Sequence, residues 1–299
     1  MNFTMNDFLH TIKNSFKQGT AEIQLIYINL AVFLLVKLTE IVLVLFNISF
    51  DFITPYLAAP ADLTKLLSRL WTVITYMFFH TGIFHIFFNM ICLYWFGKLF
   101  LISFSGKQLS ALYLFGGVLG AVTYILAYNI FPYFSTQVSS SLLMGASGAI
   151  MAIVVAAAMQ CPNMKLQLLF VGGIKLKYIA GAVLLVSIFG ITSSNAGGEF
   201  AHLGGALAGY VFIVSLRKGT DPTKGLNRFL DAVANLFKKG RKTKKQQPFH
   251  AQKMSDAEWN VQKAKNREEI DRILDKIKTS GYESLTAGEK KRLFDQSKK

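Results

Sequence analysis

The chain has 299 residues, 52% hydrophobic and 16% charged, with a mean hydropathy of +0.38. That balance excludes an ordinary soluble globule and describes a polytopic membrane protein with a soluble appendage. The formal net charge of +15 lies mostly beyond residue 216. It does not indicate nucleic acid, because no aromatic stacking platform accompanies the lysines.

Residues 1–22 read as an amphipathic cytoplasmic lead, with Phe8, Leu9, Ile12 and Phe16 at helical spacing beside Lys13 and Lys17. Six apolar segments follow, at residues 23–46, 82–103, 109–131, 147–161, 178–191 and 201–216. The last three are shorter than the ~20 residues of a usual span. Short spans suit helices wrapped by others around a water-accessible cavity. The first segment is too long for a cleavable signal and is expected to remain as an anchor. Its Lys37 and Glu40, three apart, read as a structural pair.

Between the spans, residues 47–81 are too apolar for a plain linker and predict short helices partly immersed at the outer surface. Ser193-Ser194-Asn195-Ala196-Gly197-Gly198 is small and flexible, a candidate lid. After Thr220, Leu226, Phe229, Leu230, Val233, Leu236 and Phe237 give an amphipathic helix, followed by a polybasic run from Lys238 to Lys245. Anionic lipid headgroups are its expected partner, at about 1 kcal/mol per basic residue. Ile270, Ile273, Leu274 and Ile277, a break at Ser280-Gly281-Tyr282, and the capping pair Thr286 and Glu289 predict a terminal helical hairpin. The domains expected are therefore 1–22, a six-helix transmembrane core at 23–217, and a basic cytoplasmic tail at 218–299.

Lys13, Lys17, Lys98, Lys107, Lys165, Lys175, Lys177 and Arg217 border one set of segment ends, while the opposite loops carry few cations. The positive-inside rule puts both termini in the cytoplasm. The expected location is a bacterial inner membrane. Cys92 and Cys161 lie in or beside apolar segments and read as small buried hydrophobes rather than a disulfide.

Ser147 opens the fourth segment within Gly145-Ala146-Ser147-Gly148, and His202 opens the sixth. About 15 uncharged residues separate each from its charged or proline stop, roughly 22 Å of helix. Both side chains therefore lie at one depth below the outer surface. Helix-start N–H groups at Ser147 are unpaired donors with a partial positive field. His85 and Asn89, four apart, share a face at the outer start of the second segment. His202, Gly205 and Gly209 fall on one face, as do Gly148 and Ala152, so small residues would let the two helices approach. If those faces meet, His202 can take the Ser147 proton while His85, Asn89 and backbone donors hold an oxyanion. No acidic residue is read as orienting His202, so a dyad is the minimal site. His80 reads as support for the loop.

In order, His80, His85 and Asn89, then Gly145, Ser147 and Gly148, then Ala201, His202 and Gly205 resemble the motifs of rhomboid intramembrane serine proteases. The resemblance covers about residues 23–217. It implies an all-α, six-transmembrane-helix bundle with Ser147 as nucleophile, His202 as base, and His85 with Asn89 as oxyanion donors. It also implies substrates that are single-span or polytopic membrane proteins, cut within a transmembrane helix, and no metal or organic cofactor. Two departures stand out. Trp71-Thr72 occupies a place where the family often has Trp-Arg, so an arginine anchoring that loop is missing. Met151 stands where an aromatic residue often packs on the histidine; its thioether could fill the same role.

A catalytically silent rhomboid-like escort is the main rival, although such a protein would tolerate loss of the serine or histidine. Zinc proteolysis lacks its His-Glu-x-x-His spacing. Aspartyl proteolysis lacks an aspartate in any segment. A transporter would carry polar residues through the inner half as well.

Overall fold

Apolar sequence that must satisfy its own backbone N–H and C=O groups folds as helix, and each of the six apolar segments does so in this computed structural model. The structure describes residues 14–16, 18–168, 172–238, 269, 271–280, 284–286 and 288–290. They belong to two units, residues 1–234 and 235–299.

In the first unit, α1 (Ala21–Leu45), α2 (Ile83–Leu101), α3 (Gly106–Ile130) and α6 (Ala196–Arg217) are long and apolar enough to cross a membrane. α4 (Ser147–Gln160) and α5 (Leu176–Phe189) are shorter apolar helices, and α7 (Lys224–Lys238) starts in this unit and ends in the second. A capping box starts α3: the Ser105 hydroxyl accepts from the Gln108 N–H, and the Ser105 N–H donates to Gln108 Oε1. α4 is the centre of the bundle, with every residue from Gly148 to Ala158 buried. Its alanines and Gly148 let α3 and α6 approach closely, which favours dispersion packing where lipid offers no hydrophobic drive. Phe100, Phe104 and Phe212 close the far end of this core, with ring centroids 4.6–5.8 Å apart. Leu34, Leu35 and Leu38 of α1, Phe84 and Phe88 of α2, and Val186 and Phe189 of α5 are exposed large apolar side chains. That surface fits hydrocarbon, not water.

The loops depart from the sequence reading in three places. The 47–81 segment does contain short helices, but Ala59–Pro60 (β1) also pairs antiparallel with Leu142–Leu143 (β2), stapling it to the loop before Ser147. Between α4 and α5, Lys165–Leu168 (β3) and Gly172–Lys175 (β4) form a two-stranded ribbon with Lys165 opposite Lys175. Finally, α6 begins at Ala196 instead of 201, so the candidate lid shortens to residues 193–195. Gly197 is tolerated in that helix because Tyr124 packs where its side chain would be.

Lys37 and Glu40 form the expected ion pair at 2.7 Å. Gln108 donates to Asp221, and Lys107 pairs with Asp231 of α7, both holding the segment after α6 to the start of α3. In the second unit the Thr286 N–H donates to Glu289, and the Glu289 N–H donates back to the Thr286 hydroxyl. Most of the 1–22 lead, the polybasic run beyond Lys238, and parts of the expected hairpin including Ile270 lie outside the described residues.

Candidate functional site

The loop entering α4 is shaped by contacts from the chain around residue 80. The Gly145 N–H donates to the Tyr76 carbonyl at 2.9 Å. The next N–H, of Ala146, donates to His80 Nε2 at 3.2 Å, while His80 Nδ1 lies 3.4 Å from the Phe78 carbonyl. His80 is fully buried, and burial together with the neighbouring His85 pushes its pKa down to about 4. The ring is therefore a neutral acceptor at Nε2 and a donor at Nδ1. Gly145 has φ +110°, and a methyl there would sit 2.6 Å from the His85 ring. Only glycine fits both demands. The loop thus brings His85 against the turn that presents Ser147.

Ser147 is the first residue of α4 and is half-buried. The seam between α4 and α6 forms along the glycine faces, as expected. A methyl on Gly205 would overlap the Gly148 carbonyl oxygen, and one on Gly209 the Ala152 carbonyl oxygen. This contact puts the start of α6 beside the start of α4. Ser147, His202, Asn89 and Met151 line one cavity of about 210 Å³, otherwise walled by Cys92 and the apolar Phe88, Phe96, Ile150, Val154 and Val183. The His85 ring lies against Gly145, two residues before Ser147. Asn89 donates one amide N–H to the His85 carbonyl at 2.8 Å, which leaves its second N–H.

Among the described residues no hydrogen bond joins Ser147 to His202. Instead, His202 Nδ1 lies 3.0 Å from the Ser187 hydroxyl on α5 and 3.2 Å from Glu199 Oε2. An acidic residue thus touches the imidazole, contrary to the reading that none would. Glu199 and His202 are three apart on α6, and they share a helical face only because the helix begins at Ala196 and not at 201. Ser187 left no signal, being one serine in an apolar segment.

The loop between α1 and α2 also keeps an arginine anchor, three residues ahead of the expected place. Arg69 donates to the Pro55 carbonyl at 3.2 Å and stacks over the Tyr56 ring, while Trp71 donates to the Tyr56 carbonyl at 3.0 Å. Thr72, at the departure itself, is fully buried and bonds the Arg69 carbonyl.

Comparison with known proteins gives matching results. The chain is 33% identical over 161 residues to RHOMBOID-like protein 12, mitochondrial, of Arabidopsis thaliana, covering 50% of this chain and 48% of that protein. It therefore spans about half the length of the curated relative it matches. A family of unknown function (DUF6576) matches residues 254–299. The Rhomboid domain matches residues 67–219, just over half of the chain and the stretch holding β1's partner loop, Ser147, His80, His85, His202 and the α4–α6 seam. On that match the chain belongs to the rhomboid family.

Proposed function

We propose that this rhomboid is an intramembrane serine endopeptidase that cleaves transmembrane helices of membrane-protein substrates. Ser147 Oγ attacks the scissile carbonyl carbon as His202 takes its proton, giving a tetrahedral oxyanion. Asn89, His85 and the N–H groups at the start of α4 stabilise that charge, at roughly 3–4 kcal/mol for a well-placed donor. His202 then gives the proton to the leaving amine, and water repeats the sequence on the acyl-enzyme. The observation carrying this reading is the shared cavity, where Ser147, His202 and Asn89 are the polar groups in an otherwise apolar wall apart from Cys92. Catalytic hydrogen bonds are often long in unliganded enzymes and tighten around substrate, which accommodates the unmade Ser147–His202 bond.

The same reading takes all six apolar helices as spans of a bacterial inner membrane, with both termini cytoplasmic by the lysine and arginine asymmetry. The basic tail would rest on anionic lipid.

The silent-escort reading has one observation in its favour, the absence of that same hydrogen bond. Purified protein in liposomes, given a reporter transmembrane substrate, separates the two. Wild type is expected to cleave, whereas Ser147→Ala and His202→Ala, still folded, are not. Equal products from all three would overturn the protease, and wild-type binding without cleavage would select the escort.

A further inference from the structure

The geometry points to Glu199 as the positioning residue of His202, turning the minimal dyad into a serine–histidine–glutamate chain. This rests on the proteolytic reading of Ser147 and His202. Glu199 Oε2 lies 3.2 Å from His202 Nδ1, and Oε1 lies 3.5 Å from the Asn195 amide nitrogen. A carboxylate accepts and does not donate, so Nδ1 facing it must carry the ring proton. Nε2 is then the unprotonated nitrogen, the form a general base requires. Throughout the cycle the Nδ1 proton stays in place. Nε2 alone gains the Ser147 proton and later gives it to the leaving amine, while the carboxylate balances the transient imidazolium. The Ser187 hydroxyl, 3.0 Å from the same nitrogen and 1% exposed, can accept as well as donate and so fixes no tautomer.

The niche around Glu199 is built by a neighbouring glycine. Gly190, at the end of α5, has φ −83°, a backbone that any residue can adopt. A methyl there would lie 2.9 Å from Glu199 Cγ and 3.1 Å from Cδ. Gly190→Ala therefore displaces the carboxylate without removing it and without straining the backbone. Both members of the pair are largely sheltered, with side-chain exposures of 18% for His202 and 13% for Glu199. That shelter strengthens the contact relative to one in open water.

The test compares wild type, Glu199→Gln, Gly190→Ala and Ser187→Ala in nanodiscs. Cleavage kinetics would be measured together with ¹⁵N chemical shifts of labelled histidine, with His202 assigned by its loss in His202→Ala. Glu199→Gln is expected to lower kcat by about 100-fold with KM little changed, because the amide can present N–H to Nδ1 and favour the wrong tautomer. In the spectrum the Nδ1-protonated form of His202 should give way to the Nε2-protonated form. Gly190→Ala should show a smaller loss of the same kind, and Ser187→Ala should leave the Nδ1-protonated tautomer in place. Wild-type kcat and an unchanged tautomer in Glu199→Gln would overturn the assignment, as would the same tautomer change in Ser187→Ala. Should folded wild type cleave nothing, the proteolytic reading fails, and the tautomer measurement still decides whether Glu199 governs His202.

Discussion

His80 supports the site from behind the cavity wall. Its imidazole receives the Ala146 N–H one residue before Ser147, which requires a neutral ring. An exposed histidine titrates near 6.5, whereas burial and His85 bring this one to about 4. Between those values the unfolded chain binds more protons than the folded one. The stabilisation from neutral His80 is therefore complete above pH ~6.5 and is lost as pH falls toward 4. Thermal unfolding in nanodiscs from pH 7 to 4 should show a steeper decline for wild type than for His80→Gln, whose amide can still accept from Ala146. Parallel declines would contradict this. Sequence alone allowed His80 a supporting role but could not name the Ala146 N–H as the group it holds. It could not show Glu199 and Ser187 at His202, because their contact depends on where α6 begins and on how α5 lies against it.

The helices carry that lesson further. Uninterrupted apolar runs made all six main elements legible, and the glycine faces of α4 and α6 announced their own seam. The start of α6 was misplaced because Gly197-Gly198 reads as a break, whereas Tyr124 packs on Gly197 and restores what the missing side chain loses. The β1–β2 and β3–β4 pairings had no readable period, since two to four residues are too few for alternation to stand out. The seam itself can be tested with one methyl group. Gly205→Ala would force the added carbon into the Gly148 carbonyl, and overpacking of that kind costs about 1–3 kcal/mol. Gly181→Ala on α5 meets nothing within 4 Å and serves as the control. Gly205→Ala should lower the unfolding temperature and slow cleavage, with Gly181→Ala unchanged in both. Equal behaviour of the two variants would mean that the helices do not meet as closely as the glycines indicate.

For the whole molecule, the charge asymmetry makes a claim about sidedness. With Cys92 and Cys161 replaced by serine, a cysteine at Lys165 in the β3–β4 ribbon should react with a membrane-impermeant maleimide from the cytoplasmic face only. One at Ser139 should react from the opposite face only, and reversal of the pattern would invert the orientation. On the proposed function, that opposite face is also where Ser147 meets water and substrate. The most direct measurement of the account is therefore reaction of the intact protein in lipid with a serine-directed fluorophosphonate, the adduct being located by mass spectrometry. The expected result is one adduct on Ser147, lost in His202→Ala while the protein remains folded. An adduct that forms equally without His202, or no adduct on folded wild type, would contradict a serine activated by that histidine.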